Sequence, residues 1–177
     1  MGLVGVVSPT VLTTPRLALR AFTEADAPFL VALLNDPGFH RYIGDRGVRT
    51  EADARAYVAE GPAASYAAHG FGLWRVDRLG DGVPLGMCGL LQRDFLDAPD
   101  LGYAFLAEHT GRGYAREAAS GTMVHARSAL GLGTIYAYTD ADNDRSVHLL
   151  TALGFRFDRS LAFPAAGTEA ELYRHDP

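Results

Sequence analysis

The 177-residue chain has one cysteine, Cys88, and one tryptophan, Trp74. A lone cysteine excludes a disulfide framework and a cysteine-rich zinc site, and fits a reducing compartment, with the cytoplasm as the default. Long apolar runs are missing too: nowhere do about 18 uncharged apolar residues follow one another, so no membrane-spanning helix is expected. Positive charge is scarce, with 16 Lys and Arg against 21 Asp and Glu and a formal net charge of −5. That balance argues against a nucleic-acid partner and tolerates cationic small molecules or basic peptide ends. The histidines (His40, His69, His109, His125, His148 and His175) show no metal-ligand spacing, and no metal is expected. What the chain does have is 48% hydrophobic content in the length of one domain. That suffices to bury roughly 70% of the surface its unfolded form exposes.

Residues 1–13 lack a positive n-region, and Gly2, Gly5 and Pro9 break their apolar stretch; they read as a tail before a single domain over residues 14–177. Leu17 to Ala21 alternates with a strand period. Two capping boxes, Thr23-Glu24-Ala25-Asp26 and Thr50-Glu51-Ala52-Asp53, open helices that Asp36-Pro37-Gly38 and Gly61-Pro62 interrupt. Phe71 to Val76, a turn at Gly80-Asp81-Gly82 and Leu85 to Gln92 form a hairpin pattern, and Leu101 to Leu106 continues it. Connections this short make those strands antiparallel, because a parallel crossover needs about a dozen residues.

From Ala115 small and apolar positions recur with a helical period up to Gly131. Thr134 to Thr139 reads as a strand, Asp142 to Leu153 as a helix, and Phe155 to Ser160 and Glu169 to Arg174 as two last strands around Pro164 to Gly167. The order β-α-α-β-β-β-α-β-α-β-β predicts an α/β (α+β) fold: one mixed, mostly antiparallel sheet with helices on both faces.

The most informative stretch is Glu108 to Ala118, where Gly111 and Gly113 punctuate the passage from a strand into an alanine-rich helix. Glycine admits close approach to the main chain, and the helix that follows aims unpaired N–H groups and the positive end of its dipole at the loop. An anion, most plausibly a phosphate, fits there. A dinucleotide loop is the rival reading. Its third glycine is replaced by Arg116, and the antiparallel strands before the loop are not the parallel unit that such a loop requires.

Thr110-Gly111-Arg112-Gly113-Tyr114-Ala115 resembles the acetyl-CoA pyrophosphate loop of the GNAT superfamily of N-acetyltransferases, departing at Thr110, where the pattern has Arg or Gln. Asn143 to Phe155 resembles the Asn-x-x-Ser-(x)6-Leu-Gly-Phe signature of the RimJ/RimL-like branch, and Thr14 to Ala27 its opening strand and first helix. The resemblance spans roughly Thr14 to Arg174 and implies a GNAT fold. It also implies acetyl-CoA as cosubstrate and direct attack on it by a primary amine, either a protein N-terminal amine or a small amine. An α-amine is about 10 to 20% neutral at pH 7, and a lysine amine well under about 0.1%, so the first needs less help from a base.

By the same resemblance Asp100 is the candidate general base or amine-orienting group, with Asp94 as substitute and a strand-edge acid as the alternative. Ser146 would donate to the departing sulfur and Asn143 would hold the pantetheine arm, although both suit helix capping equally. The backbone of Phe105 and Leu106 would pair with pantetheine and polarise the thioester carbonyl. The tyrosine acid that many relatives place four residues before the Gly-Phe pair is Leu150 here. Tyr42, on the segment with Phe39 and Arg46, and Trp74 are candidate acceptor contacts; such aromatics are more often core. Cys88 reads as core rather than nucleophile. A non-catalytic acyl-CoA-binding module is the competing function, with an NAD-binding oxidoreductase behind it. A monomer or a homodimer is expected.

Overall fold

Alternation in the central strands sends their side chains into two cores, one on each face of a single sheet. The computed structural model describes residues 8–163 and 168–177; the Pro164–Gly167 connection and the start of the expected tail lie outside the described residues. Its strands are β1 (Thr10–Thr13), β2 (Leu17–Ala21), β3 (Leu73–Arg78), β4 (Pro84–Leu91), β5 (Asp100–Phe105), β6 (Ile135–Asp140), β7 (Arg156–Phe163) and β8 (Thr168–His175). They are ordered β1-β2-β3-β4-β5-β6-β8-β7. Neighbours are antiparallel except β5 and β6, which are parallel. The meander expected from the short connections is therefore present through β5, while the glycine loop after it leads through the next helix to a parallel strand, β6, so the missing third glycine is what separates this loop from the dinucleotide pattern.

The helices are α1 (Ala27–Leu34), α2 (Pro37–Tyr42), α3 (Glu51–Val58), α4 (Ala64–His69), α5 (Tyr114–Ser128) and α6 (Asp144–Ala152). One face of the sheet packs Leu17, Leu19, Trp74, Val76, Cys88, Leu90 and Leu101 with Ala118, Ala119, Met123 and Ala126 of α5. The other packs Leu73, Met87 and Ala104 with Leu30, Leu33 and Leu34 of α1 and Ala54 and Val58 of α3. Neighbours such as Met87 and Cys88, or Tyr103 and Ala104, go to opposite faces because the strand period is two.

Three departures from the sequence reading have local causes. Thr10–Thr13, read as the end of a tail, is an edge strand paired with β2. Asp36-Pro37-Gly38 ends α1 but at once starts α2: Asp36 accepts from the Gly38 N–H at 2.9 Å and Pro37 occupies the first turn. Gly61-Pro62 does not end the second helical run. The chain widens into a π-helical turn, Ala59–Ala63, that accommodates the missing proline N–H. It then continues as α4 to Gly70, at φ 75°.

A buried ionic cluster ties β2 and β3 to the start of α1. Asp26, 3% exposed, accepts from Arg20 at 2.7 and 2.9 Å and from the Thr23 N–H at 2.8 Å, and also pairs with Arg75. Asp77 takes a second nitrogen of each arginine, at 3.1 and 2.6 Å. Burial by itself would raise the Asp26 pKa, but the bonds from Arg20 and Thr23 and the charges of both arginines outweigh it, and the net shift is downward. A depressed carboxylate stabilises the fold above its unfolded pKa of about 3.9, and that stability is lost as the pH falls through the folded value. Asp26→Ala is expected to cost about 3 to 5 kcal/mol, since it leaves two half-buried guanidiniums short of their counter-charge. Denaturant titration at neutral pH measures this, and repetition at acid pH should show the variant's deficit shrinking.

Candidate active site

The sheet is interrupted where the site lies. β5 and β6 share one ladder position, Asp100 opposite Tyr136, supported by the Tyr136 N–H donating to the Pro99 carbonyl at 2.9 Å. Beyond that point no ladder pair joins the two strands, and this break in the sheet is the gap. On its other side β5 stays fully paired with β4, from Asp100–Leu91 to Phe105–Gly86. The Leu106 N–H continues this ladder by donating to the Leu85 carbonyl at 3.0 Å. Because an antiparallel ladder alternates, the main-chain groups of Leu101, Tyr103 and Phe105 turn away from β4; the Leu101 N–H completes the ladder position with Tyr136, and the N–H and C=O of Tyr103 and Phe105 face the gap. Phe105 thus offers the expected backbone edge; Leu106 does not, since its N–H is already committed.

At the mouth of the gap stands the glycine loop. Gly111 and Gly113 have φ of 75° and 80°, the left-handed region that glycine tolerates, and nothing lies within 4 Å of where a Gly111 side chain would begin. Gly113 is the N-cap of α5 and supplies no side-chain cap, so the first-turn N–H groups of Tyr114, Ala115 and Arg116 have no partner inside the helix. This is a cradle for a phosphate group, and the residues fit the pyrophosphate of CoA. The Thr110 hydroxyl is turned back onto the Ala107 carbonyl at 2.8 Å, and the Arg112 side chain is exposed.

The loop is braced from the opposite end of the sequence. Arg16 donates to the Arg112 carbonyl at 3.0 Å and to Glu117 at 2.6 Å, and its guanidinium lies 4.6 Å from the Tyr114 ring centre. Glu117 also accepts from the Thr14 hydroxyl at 2.6 Å and the Arg16 N–H at 2.8 Å. In the sequence Arg16 stands only as part of the opening strand of the family resemblance; a partner about a hundred residues away leaves no local signal.

Asp100 and Ser146 occupy opposite faces of the gap. On the α1–α3 face, Asp100 is 2% exposed and 3.1 Å from Arg93, whose guanidinium lies 5.3 Å from the Tyr138 ring centre. Burial raises the Asp100 pKa above the ordinary carboxylate range, and Arg93 offsets part of that rise. Asp94, the substitute, is exposed. On the α5 face, Ser146 in the first turn of α6 lies 2.6 Å from the Tyr103 hydroxyl. Asn143 caps α6, its side chain accepting from the Ser146 N–H at 3.3 Å.

The aromatic candidates separate. Tyr42 is half-buried at the end of α2, beneath the Arg41 guanidinium, and Arg41 approaches Asp142 at 3.9 Å, so α2 meets the loop that leads into α6. Trp74 is 2% exposed in the α5-face core, edge-on to His125. Strand parity turns it into that core and away from the face that carries Asp100, and its burial there corrects its reading as an acceptor contact. His109 is mostly buried, and its Nδ1 has no partner among the described residues. Cys88 is fully buried against the Thr122 hydroxyl at 3.4 Å; burial pushes its thiol up to about 12, so it is not a nucleophile.

Two substitutions test the cradle. Gly113→Val forces a branched side chain into a positive φ and against Arg16, 3.3 Å away, and is expected to weaken CoA binding by at least about 100-fold. Glu117→Gln loosens the brace and should weaken CoA about 3- to 10-fold, in keeping with a partly exposed ion pair. Calorimetric titration with CoA checks both.

Comparison with known proteins agrees with this geometry. The family described as an acetyltransferase (GNAT) domain matches residues 16–156. An uncharacterized N-acetyltransferase of Bacillus subtilis, YoaA, is 30% identical over 149 residues, 82% of either chain. Among solved structures, the ribosomal L7/L12 alpha-N-protein acetyltransferase RimL in complex with coenzyme A superposes with a TM-score of 0.82 at 14% identity, covering 95% of this chain and 98% of that one. Spermidine N-acetyltransferase of Vibrio cholerae, in complex with CoA and spermine, gives 0.76 at 17% identity over 92% and 96%. Enzymes of this fold thus serve quite different amines. With a split sheet, an uncapped helix start at the split and a family match over most of its length, this chain belongs to the GNAT acetyltransferases.

Proposed function

We propose that the chain transfers the acetyl group of acetyl-CoA to a primary amine by direct attack, without an acyl-enzyme, within a single catalytic domain over residues 14–177. The observation that carries this reading is the gap between β5 and β6, with an acid on one face and a hydroxyl pair on the other. The backbone of Tyr103 and Phe105 receives the pantetheine arm as an added strand, and Gly111 to Ala115 hold the pyrophosphate. The cosubstrate supplies an activated acetyl thioester. The amine approaches from the face that carries Asp100, with Tyr42 at the rim, and Asp100 takes its proton directly or through water. A carboxylate raised by burial is a better base than an exposed one, and the Arg93 guanidinium beside it favours its charged form. Asn143 holds the start of α6 so that Ser146 faces the departing sulfur.

The favoured acceptor is a protein N-terminal amine, as in the RimJ/RimL-like branch. Two features support it: the Asn143 to Phe155 stretch, and an α-amine's larger neutral fraction beside a single modest base. The enzyme is read as cytoplasmic, a monomer or a homodimer, without nucleic-acid or membrane partners. Among the described residues no helix is long and apolar enough to cross a membrane.

A thiol-release assay with a panel of N-terminal peptides and spermidine tests the acceptor, and preference for spermidine over every peptide would overturn the branch assignment. Asp100→Asn is expected to lower turnover about 100-fold or more with CoA affinity nearly unchanged. Its loss should be greatest at neutral pH and should narrow as alkaline pH deprotonates the amine unaided; a full-rate variant at pH 7 would refute the base assignment.

A further inference from the structure

Leu150, where relatives carry a tyrosine acid, is 1% exposed and packed in the α5-face core, so that turn of α6 offers no phenol. A phenol comes from the other wall instead. Tyr103 extends from β5 across the gap, its hydroxyl 2.6 Å from Ser146 Oγ. Ser146 is held by its own N–H on the Asn143 cap. In the first turn of α6 its hydroxyl lacks a preceding helical carbonyl to donate to. Two hydroxyls carry two hydrogens and their mutual bond uses one, which leaves one to donate into the gap.

We propose that Tyr103 is a positioning residue that holds the Ser146 hydroxyl as a hydrogen-bond donor to the sulfur leaving acetyl-CoA. The inference rests on the acetyl-transfer reading. As the bond from the amine nitrogen to the acetyl carbon forms, the C–S bond breaks and its electron pair stays on sulfur. Tyr103 donates to Ser146 Oγ, and Ser146 donates to the thiolate; both keep their protons, and the amine's proton leaves by way of Asp100 or water. The phenol does not serve as the acid itself. Burial raises it to about 12, well above a free thiol near about 8.5, so transfer from it would run uphill. Cys88, the other titratable group acting on Tyr103, is also held protonated by burial. This strand-borne phenol gives the Leu150 departure a compensation that no spacing within α6 reveals.

The test uses CoA as the probe and needs no acceptor. The thiol pKa of bound CoA is read from thiolate ultraviolet absorbance, as the difference between protein saturated with CoA and with desulfo-CoA. Loss of a hydrogen bond to a charged group is expected to raise that pKa by about one unit or more in Tyr103→Phe. Ser146→Ala should give a like shift, and the double variant no more than the larger single one. Tyr103→Phe keeps the ring, so its CoA affinity and thermal midpoint should match wild type. Ser146→Ala, at a half-exposed position, reads the same interaction without disturbing the packing around Tyr103. A wild-type thiol pKa in either single variant, or additive shifts in the double, would overturn the role given to Tyr103. Absence of saturable CoA binding by the wild-type protein would instead overturn the acetyl-transfer reading.

Discussion

Everything at the site depends on two parallel strands that begin paired and then separate. A complete ladder between β5 and β6 would satisfy every facing N–H and C=O, leaving no place for a ligand. One ladder position, Asp100 opposite Tyr136, holds the halves of the sheet in register while the rest of β5 keeps a free main-chain edge. Such an edge is normally a liability. Here it is flanked by α5 and α6, and a pantetheine arm is the kind of extended, amide-bearing group that can pair with it.

Strand parity then divides the chemistry. Asp100 projects to the α1–α3 face and Tyr103, three residues on, to the α5 face, so the groups proposed to accept the amine's proton and to stabilise the thiolate stand on opposite sides of one slot. The environments differ accordingly. Asp100 is buried against a guanidinium, which offsets part of the rise that burial imposes, whereas Tyr103 is buried beside a hydroxyl and a thiol and its pKa is raised. The glycine loop contributes no side chain to either face. Its part is to expose the start of α5, and the brace from Arg16 and Glu117 keeps that start in place.

Much of this was legible locally. The capping boxes, the antiparallel meander, the helical stripe after Ala115 and the glycine turn before it are written within windows of ten or fifteen residues, where backbone propensity and periodicity dominate. The misreadings came where a local breaker met a compensating partner. Pro62 was absorbed by a π-helical turn, Pro37 restarted a helix under an aspartate cap, and Thr10–Thr13 gained strand form from an edge that β2 supplied. Trp74 was misassigned because its type suits both core and recognition, and only the face it takes decides between them.

Local sequence specified the order of elements from the β3–β4 hairpin onward, the glycine turn before α5 and the family resemblance, because each is carried by neighbouring residues whose spacing matches a backbone period. Tertiary structure alone decided that Leu106 is spent on Leu85, that Arg93 sits on Asp100, that Arg16 braces the loop and that Tyr103 meets Ser146. Most of these contacts join residues far apart in the chain, and their geometry follows from strand register and sheet face. A single sequence does not display those quantities, since one residue of slip in a strand turns every side chain to the opposite side.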